Sequence, residues 1–493
     1  MATAADLILA NRSYLDHHAP RSAGVEPATP NGGLLAAVGP AMAPSAGEQG
    51  TTWIGAGRGR YDHEYVDVAG IERLPTGQGP LRHRRIFFDA GTWEGHYVRC
   101  ANSFSWPLFH LVRVPLPDCV PYYPAPATPS AKDWGSHVAA NRAFARAAMD
   151  EPSTRTCWVH DYQLALTPAM LRQLGFPGRL GFFLHTPFPS LAIARAFLDE
   201  QGLGYFTSLV RGMLGADLVG FQTPGDRARF FETAHELCGA TLGGDGLAVD
   251  GRTVAVGAYP VGVATAEVEE AARHARLPAA VAGLRQPGMP LVASLERCDF
   301  TKGIPERLRA LAHACEAGVP FTYAGIAAPT RTQVPAYQAV TRAVAEASAE
   351  AEAAATAAGM PRGSIMQLHE ALSWADVVAT QRDADVIFTS SLADGMNLVP
   401  LQAAVAQAAR PPHERAVLIA GRDAGVSQVY EAFSGDGLVS VDPLDKTALT
   451  ETVIRAVRGE LPRVSDRLIA EVRRADAAHW ARRFMSDLED APC

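Results

Sequence analysis

The chain has 493 residues, 48% of them apolar and 19% charged, which describes a globular protein too long for one core and predicts two domains of roughly 200–250 residues each. A net charge of −8 argues against a nucleic-acid partner, and no apolar run reaches the roughly 18–20 residues that cross a membrane. Seven cysteines are scattered without Cys-x-x-Cys spacing, and the apolar run at 6–10 is too short and lacks the basic flank of a signal peptide. The expectation is a cytoplasmic chain with reduced thiols, of a composition that permits a homo-oligomer.

Residues 7–10 read as a short buried strand that delivers Asn11 and Arg12 at its end. Residues 20–50, rich in Pro, Gly, Ala and Ser, read as a long loop in which Asn31-Gly32-Gly33 permits close approach of backbone to a ligand. Residues 53–55 and 84–89 are further β-type runs. Residues 97–110, YVRCANSFSWPLFH, suit a helix with buried rings. Strand 157–159 leads into His160-Asp161-Tyr162, and an ionisable group at the carboxyl end of a parallel strand lies where open α/β sheets bind ligands. A helix at 167–174 follows, then a buried strand at 179–184 that ends at His185, after which Pro187 and Pro189 stiffen the loop. Strand 218–221, helix 226–237 and strand 254–259 complete a half whose alternation predicts parallel strands with right-handed crossovers. A domain boundary is expected close after Val263.

The second half restarts with a strand at 290–294. Arg297 and Lys302 are expected on the loop that enters helix 305–315; two cations converging there suit a diphosphate, and two solvated surface charges are the ordinary alternative. Strand 321–326 leads to a loop bearing Arg331. Residues 341–358, nearly all Ala and Glu, read as a solvated helix stopped by Gly359 and Pro361. Asp383 and Asp385 stand where buried strand 386–389 begins and read as its boundary, so no metal is expected. The stretch 389–407, TSSLADGMNLVPLQAAVAQ, carries the densest signal: a strand end, a turn with Gly395, then a helix opened by Asn397 and Leu398. Such an arrangement cradles a phosphate, because the first N–H groups of a helix lack internal partners and the helix dipole favours an anion. Asp394 on that turn can reach a hydroxyl beside the phosphate. A strand at 416–420 and helices at 445–457 and 466–488 finish the chain, and no internal repeat is evident.

Six motifs in order, WVHDYQL (158–164), GFFLHTPFP (181–189), GFQT (220–223), YPVGV (259–263), ERCDFTKGIPER (296–307) and ADGMNLV (393–399), resemble glycosyltransferase family 20, the trehalose-6-phosphate synthases, over nearly the whole chain. The resemblance implies an α/β fold of GT-B type: two Rossmann-like parallel-sheet domains facing across a cleft. Residues 1–263 would bind the acceptor, 264–470 the nucleotide sugar, and the helix in 471–493 would cross back. It implies transfer of glucose from a nucleotide sugar to glucose 6-phosphate with retention, with no metal and no cofactor beyond the co-substrate. On the donor side it implies Arg297 and Lys302 on the diphosphate, Gly33 and the backbone of Gly395, Met396, Asn397, Leu398 and Val399 nearby, and Asp394 and His185 on the transferred glucose. On the acceptor side it implies Arg12, Tyr97, Trp106 and Arg331 around the 6-phosphate, with Asp161 and Tyr162 holding the sugar. Base recognition is implied through backbone near 371–373. The family's front-face path needs no carboxylate nucleophile, because the leaving phosphate takes the acceptor's proton.

Three positions depart from the family. The glutamate that grips the ribose is Gln402 here, which forgoes a charge-assisted hydrogen bond of roughly 1–2 kcal/mol. Ala393 stands where an arginine is common, and Gln163 where a histidine is common. The donor is therefore left open among UDP-, GDP- and ADP-linked sugars. Two other readings stand beside the synthase: a specialised relative with an unusual donor or acceptor, including a pseudo-glycosyltransferase, and a non-catalytic sugar-phosphate sensor.

Overall fold

The computed structural model describes residues 5–23, 37–39, 51–76, 79–113, 116–151, 156–243 and 246–492. Gly33 and the heart of the 20–50 loop lie outside the described residues. The chain forms two compact units: Met1–Val112 with Ala125–Pro260 and Ala477–Cys493, and Arg113–Pro124 with Val261–Asp476. The short segment joins the second unit through side chains. Arg113 forks onto Asp442 at 2.8 and 3.0 Å and also pairs with Asp423, while Tyr122 bonds to Glu306.

Among the described residues the first unit is built on ten strands: β1 (Leu7–Arg12), β2 (Thr52–Ala56), β3 (Ile71–Thr76), β4 (Gly79–Ile86), β5 (Thr156–His160), β6 (Arg179–Phe183), β7 (Leu218–Phe221), β8 (Thr241–Gly243), β9 (Gly246–Val249) and β10 (Arg252–Ala258). Their order is β3-β4-β2-β1-β5-β6-β7-β10-β9-β8. The seven from β4 to β10 pair in parallel, as the alternation predicts, whereas β3, β8 and β9 add antiparallel edges. The Asp250-Gly251 turn between β9 and β10 has φ of 49° and 75°, the positive pair that matches the twist of a tight hairpin. β2 and β5 are buried along their whole length, as expected of parallel strands covered on both faces.

Among the described residues the second unit has six strands, all parallel: β11 (Leu291–Arg297), β12 (Thr322–Ala328), β13 (Ile365–Leu368), β14 (Val386–Phe388), β15 (Val417–Gly421) and β16 (Leu438–Val441), in the order β13-β12-β11-β14-β15-β16. Asp385 is a strand boundary: its carboxylate accepts from Leu291 N at 2.9 Å and from Arg410 at 3.1 Å.

Two expectations about helices are corrected and a third is refined. The Ala/Glu helix runs Pro335–Ala357 and is not solvated all round. Tyr337, Val340, Val344, Ala347, Ala351 and Ala355 form a buried stripe at helical spacing against the helix Ile304–Glu316. The segment before Trp106 is a wide-turned π-helix, Glu94–Ser105, that tightens into an α-helix at Trp106–His110. The terminal helix is two helices, Asp466–Arg474 and Ala477–Glu489. The break falls where the chain returns to the first unit. There Phe484 stacks on Trp158 at 4.7 Å, and its ring fills the space that a side chain on Gly181 or Gly220 would claim.

Candidate active site

In the second unit the organising stretch is a buried turn locked from two sides. Thr389 donates to Ile419 O at 2.9 Å and Ser390 to Gly303 O at 2.7 Å. Leu392 N reaches Thr301 O at 2.7 Å, while Gly425 N and Val426 N reach Asp394 O at 3.1 Å and Met396 O at 2.8 Å. The helix begins at Val399, not at Asn397. Asn397 sits in the left-handed region at φ 57°, and its side-chain oxygen accepts from Val399 N at 3.2 Å. An Asx-type bond of this kind stabilises a turn in competition with a helix start. Gly395, Met396 and Asn397 are buried, whereas Asp394, Leu398, Val399 and Gln402 keep partial exposure.

Lys302 meets this turn, and Arg297 ends β11, the strand paired with the β14 that leads into it. Arg297 is the exposed last residue of β11 rather than a loop residue. Lys302 closes a single tight turn, Phe300–Lys302, and its ammonium pairs with the Asp394 carboxylate. Gly303 follows at φ 58°, and a Cβ there would stand 2.2 Å from Ser390 O, so only glycine allows this approach. Sequence reasoning missed what fixes these groups. Arg307 is fully buried and binds Glu296 at 2.8 Å, and the other Glu296 oxygen accepts from Asn397 at 3.3 Å. Both residues end the ERCDFTKGIPER motif, so the signal was a charged pair at its termini. Arg331 also belongs to this unit, at φ 47°, with its guanidinium on Asp299 at 3.1 Å.

In the first unit Arg12, Asp161 and His185 stand at the carboxyl ends of three neighbouring parallel strands, β1, β5 and β6. Asp161 is left-handed at φ 73°; its N–H donates to Phe183 O at 2.8 Å and its carboxylate accepts from His185 N at 3.3 Å. His185 Nε2 meets His160 Nδ1 at 3.1 Å, and burial pulls the His185 pKa down to about 3, so the ring is neutral. Trp106 lies 5.6 Å from the ring of Tyr162, which is fully buried and donates to Asn102 at 3.2 Å. Asn102 in turn donates to the carbonyl of Tyr97 at 2.7 Å. Tyr97 stacks on Trp93 at 4.6 Å, and the Arg58 guanidinium covers it at 4.9 Å. The residues before Arg12 and Tyr97 are joined as well: His96 binds Asn11 at 2.9 Å and His137 at 2.9 Å.

Among the described residues four non-glycine positions have positive φ; one is the Asp250 hairpin, and the others are Asp161, Arg331 and Asn397, all sequence candidates. Strain of this kind costs about 1–3 kcal/mol and collects at functional sites. Arg297, Lys302, Asp394 and the turn to Gln402 gather in one unit, and Arg12, Tyr97, Trp106, Asp161, Tyr162 and His185 in the other. Among the described residues no group of three or more His, Cys, Asp or Glu is arranged to hold a metal ion, and no helix is long and apolar enough to cross a membrane.

The description of glycosyltransferase family 20 matches residues 23–490. The alpha,alpha-trehalose-phosphate synthase [UDP-forming] 1 of Aspergillus niger is 30% identical over 419 residues, covering 82% of this chain and 75% of that protein. The trehalose-6-phosphate synthase of Mycolicibacterium smegmatis is 29% identical, covering 93% and 87%. A Burkholderia xenovorans alpha,alpha-trehalose-phosphate synthase (UDP-forming), solved in complex with glucose-6-phosphate, superposes with a TM-score of 0.79 at 26% identity over 98% of this chain and 99% of that one. An E. coli structure bound with UDP-2-fluoro glucose matches in fold with a TM-score of 0.79 at 24% identity, over 98% of each chain. With its two parallel-sheet α/β units and the family's motifs in order, the chain belongs to glycosyltransferase family 20.

Proposed function

We propose that the chain is a retaining, metal-independent glycosyltransferase that moves glucose from a nucleotide-glucose donor to glucose 6-phosphate, forming trehalose 6-phosphate. The observation that carries this reading is the locked turn of the second unit, with Lys302 on Asp394, Arg297 at the end of the neighbouring strand and a helix start following. Arg297 and Lys302 supply two positive charges where a leaving diphosphate gains negative charge, and charge stabilised only in the transition state accelerates the chemical step. Asp394 offers a carboxylate to sugar hydroxyls. The neutral His185 ring offers a hydrogen bond without repelling the positive charge that develops on the sugar. Arg12 and Arg331 supply guanidinium groups for the acceptor phosphate. The acceptor hydroxyl attacks the face from which the diphosphate departs, and a phosphate oxygen takes its proton. The remaining work is positioning, which can lower a barrier by about 7–11 kcal/mol.

The two named relatives and the Burkholderia xenovorans structure support this reading: the names of Aspergillus niger's and Burkholderia's proteins say that they form UDP, and the latter was solved with glucose-6-phosphate. The proposed setting is the cytoplasm, where the six described cysteines remain thiols, and the proposed partners are small molecules and at most further copies of the chain. Purified protein is to be incubated with glucose 6-phosphate and each of UDP-, GDP- and ADP-glucose, and the products weighed. A phosphorylated disaccharide that disappears in Arg297→Ala supports the reading. No product with any of the three donors sinks it.

Gln402 favours a second reading, a relative whose donor is not UDP-glucose. Glutamine offers the ribose a neutral acceptor where a carboxylate would grip both hydroxyls. Stabilisation by glucose 6-phosphate with no stabilisation by those three donors favours this reading over the first.

A further inference from the structure

Asp299 has no exposed surface and touches neither proposed ligand, yet its two carboxylate oxygens hold two different parts of the site. Oδ1 accepts from Thr301 N at 3.2 Å and from the Thr301 hydroxyl at 3.1 Å. Those bonds, with Lys302 N on Asp299 O at 3.0 Å, shape the tight turn that aims Lys302 at Asp394. Oδ2 accepts from Arg331 at 3.1 Å and from the Tyr337 hydroxyl at 3.0 Å, and the same hydroxyl accepts from Arg331. Arg331 is thereby held at φ 47°, a backbone conformation that a residue of its size seldom takes unaided.

We infer that Asp299 is a positioning residue that sets the donor-side lysine turn with one oxygen and the acceptor-side Arg331 with the other, so that the affinities for both substrates depend on one buried carboxylate. The inference rests on the proposed roles of Lys302 and Arg331. A carboxylate suits the site, since four donors converge on its two oxygens. Asparagine has the same shape but weakens both sides: its NH2 group faces donors on one side, and on the other a neutral amide oxygen replaces a charged acceptor.

The test measures dissociation constants for glucose 6-phosphate and for UDP in the wild type and in variants. Asp299→Asn is expected to weaken both ligands, each by about tenfold, the size of one lost charge-assisted hydrogen bond. Tyr337→Phe is expected to weaken glucose 6-phosphate alone, by roughly threefold, and Thr301→Val to weaken UDP alone by a similar factor. Asp299→Asn added to Arg331→Ala should cause no further loss of glucose 6-phosphate affinity, because Arg331 carries the effect. Weakening of only one ligand by Asp299→Asn, or full additivity with Arg331→Ala, overturns the inference. Should Asp299→Asn fail to fold, the split between Tyr337→Phe and Thr301→Val decides, and equal effects of either variant on both ligands overturn it. Wild-type affinity for glucose 6-phosphate that Arg331→Ala leaves unchanged is a separate outcome: it removes the proposed acceptor site, and the inference with it.

Discussion

Gly425 tests whether the locked turn is what the site depends on. It opens the short helix Gly425–Val429, donates to Asp394 O at 3.1 Å, and faces the backbone of Gly395. A Cβ at this position would stand 2.0 Å from Gly395 O and 3.2 Å from Met396 Cα. Normal contact requires the turn to retreat by about 1 Å, and a displacement of that size in a positioned group costs about 100-fold in rate. Overpacking of this kind costs about 1–3 kcal/mol, and each kcal/mol lowers the melting temperature of a unit this size by about 2–4 °C. Gly425→Ala should therefore lose about 100-fold in kcat/KM while melting only modestly earlier. Gly435→Ala is the control, since no atom lies within 4 Å of its Cβ, and it should stay within about 0.5 kcal/mol of wild type. The assays are product formation from UDP-glucose and circular-dichroism melts. A Gly425→Ala protein that turns over and melts like Gly435→Ala refutes the reasoning, because the turn would then be free to move without consequence.

Three further outcomes are expected. Gln402→Glu should lower the KM for UDP-glucose by about tenfold by restoring a charged acceptor one turn into the helix; an unchanged KM in steady-state kinetics would place Gln402 away from the ribose. Phe484→Ala should cost about 3–5 kcal/mol in denaturant unfolding, because the ring is fully buried between Trp158, Gly181 and Gly220, and a loss under about 1 kcal/mol would contradict that packing. Acid should destabilise the fold through His185. Its folded pKa of about 3 lies below the ordinary 6.5, so its contribution is full above about pH 6.5 and is lost as pH falls toward 3, by up to about 1.4 kcal/mol per pH unit. A melting temperature that stays flat between about pH 7 and pH 5 would contradict this.

The parts of the fold that were legible in the sequence are those where local pattern and tertiary role agree. Buried parallel strands are continuous apolar runs, so β5, β6, β7 and β11 could be read directly, and the ionisable residues at their carboxyl ends stood out against them. Asn397 was misread as a helix start because Leu398-Val399-Pro400 carries a proper start signal, while a left-handed φ leaves no trace in composition. The helix Pro335–Ala357 was misread because its buried stripe is written in alanine, which reads as neutral by composition and as packing surface only by spacing. Asp299, Glu296 and Arg307 were invisible for the opposite reason. A charged residue in a loop motif is ordinarily solvated, and only the closing of β11, β14 and the turn around them shows all three to be buried.

That burial bears on why the motif is charged at all. A buried ion pair such as Arg307 with Glu296 is weak evidence for stability, since its desolvation penalty offsets much of its attraction. Here the pair does something an apolar pair would not: the second Glu296 oxygen holds Asn397, and Arg307 also donates to Phe388 O at the end of β14. Asp299 does the same for Arg331 and the lysine turn. On the proposed reaction the groups that meet substrate carry charge and must not relax toward each other or toward water during turnover. Lys302 and Asp394 already neutralise one another, so a diphosphate that draws Lys302 away frees Asp394 for the sugar's hydroxyls. Such an exchange works best when the two groups keep their places, and the buried carboxylates of Asp299 and Glu296 tie down the lysine turn and Asn397 on either side of it.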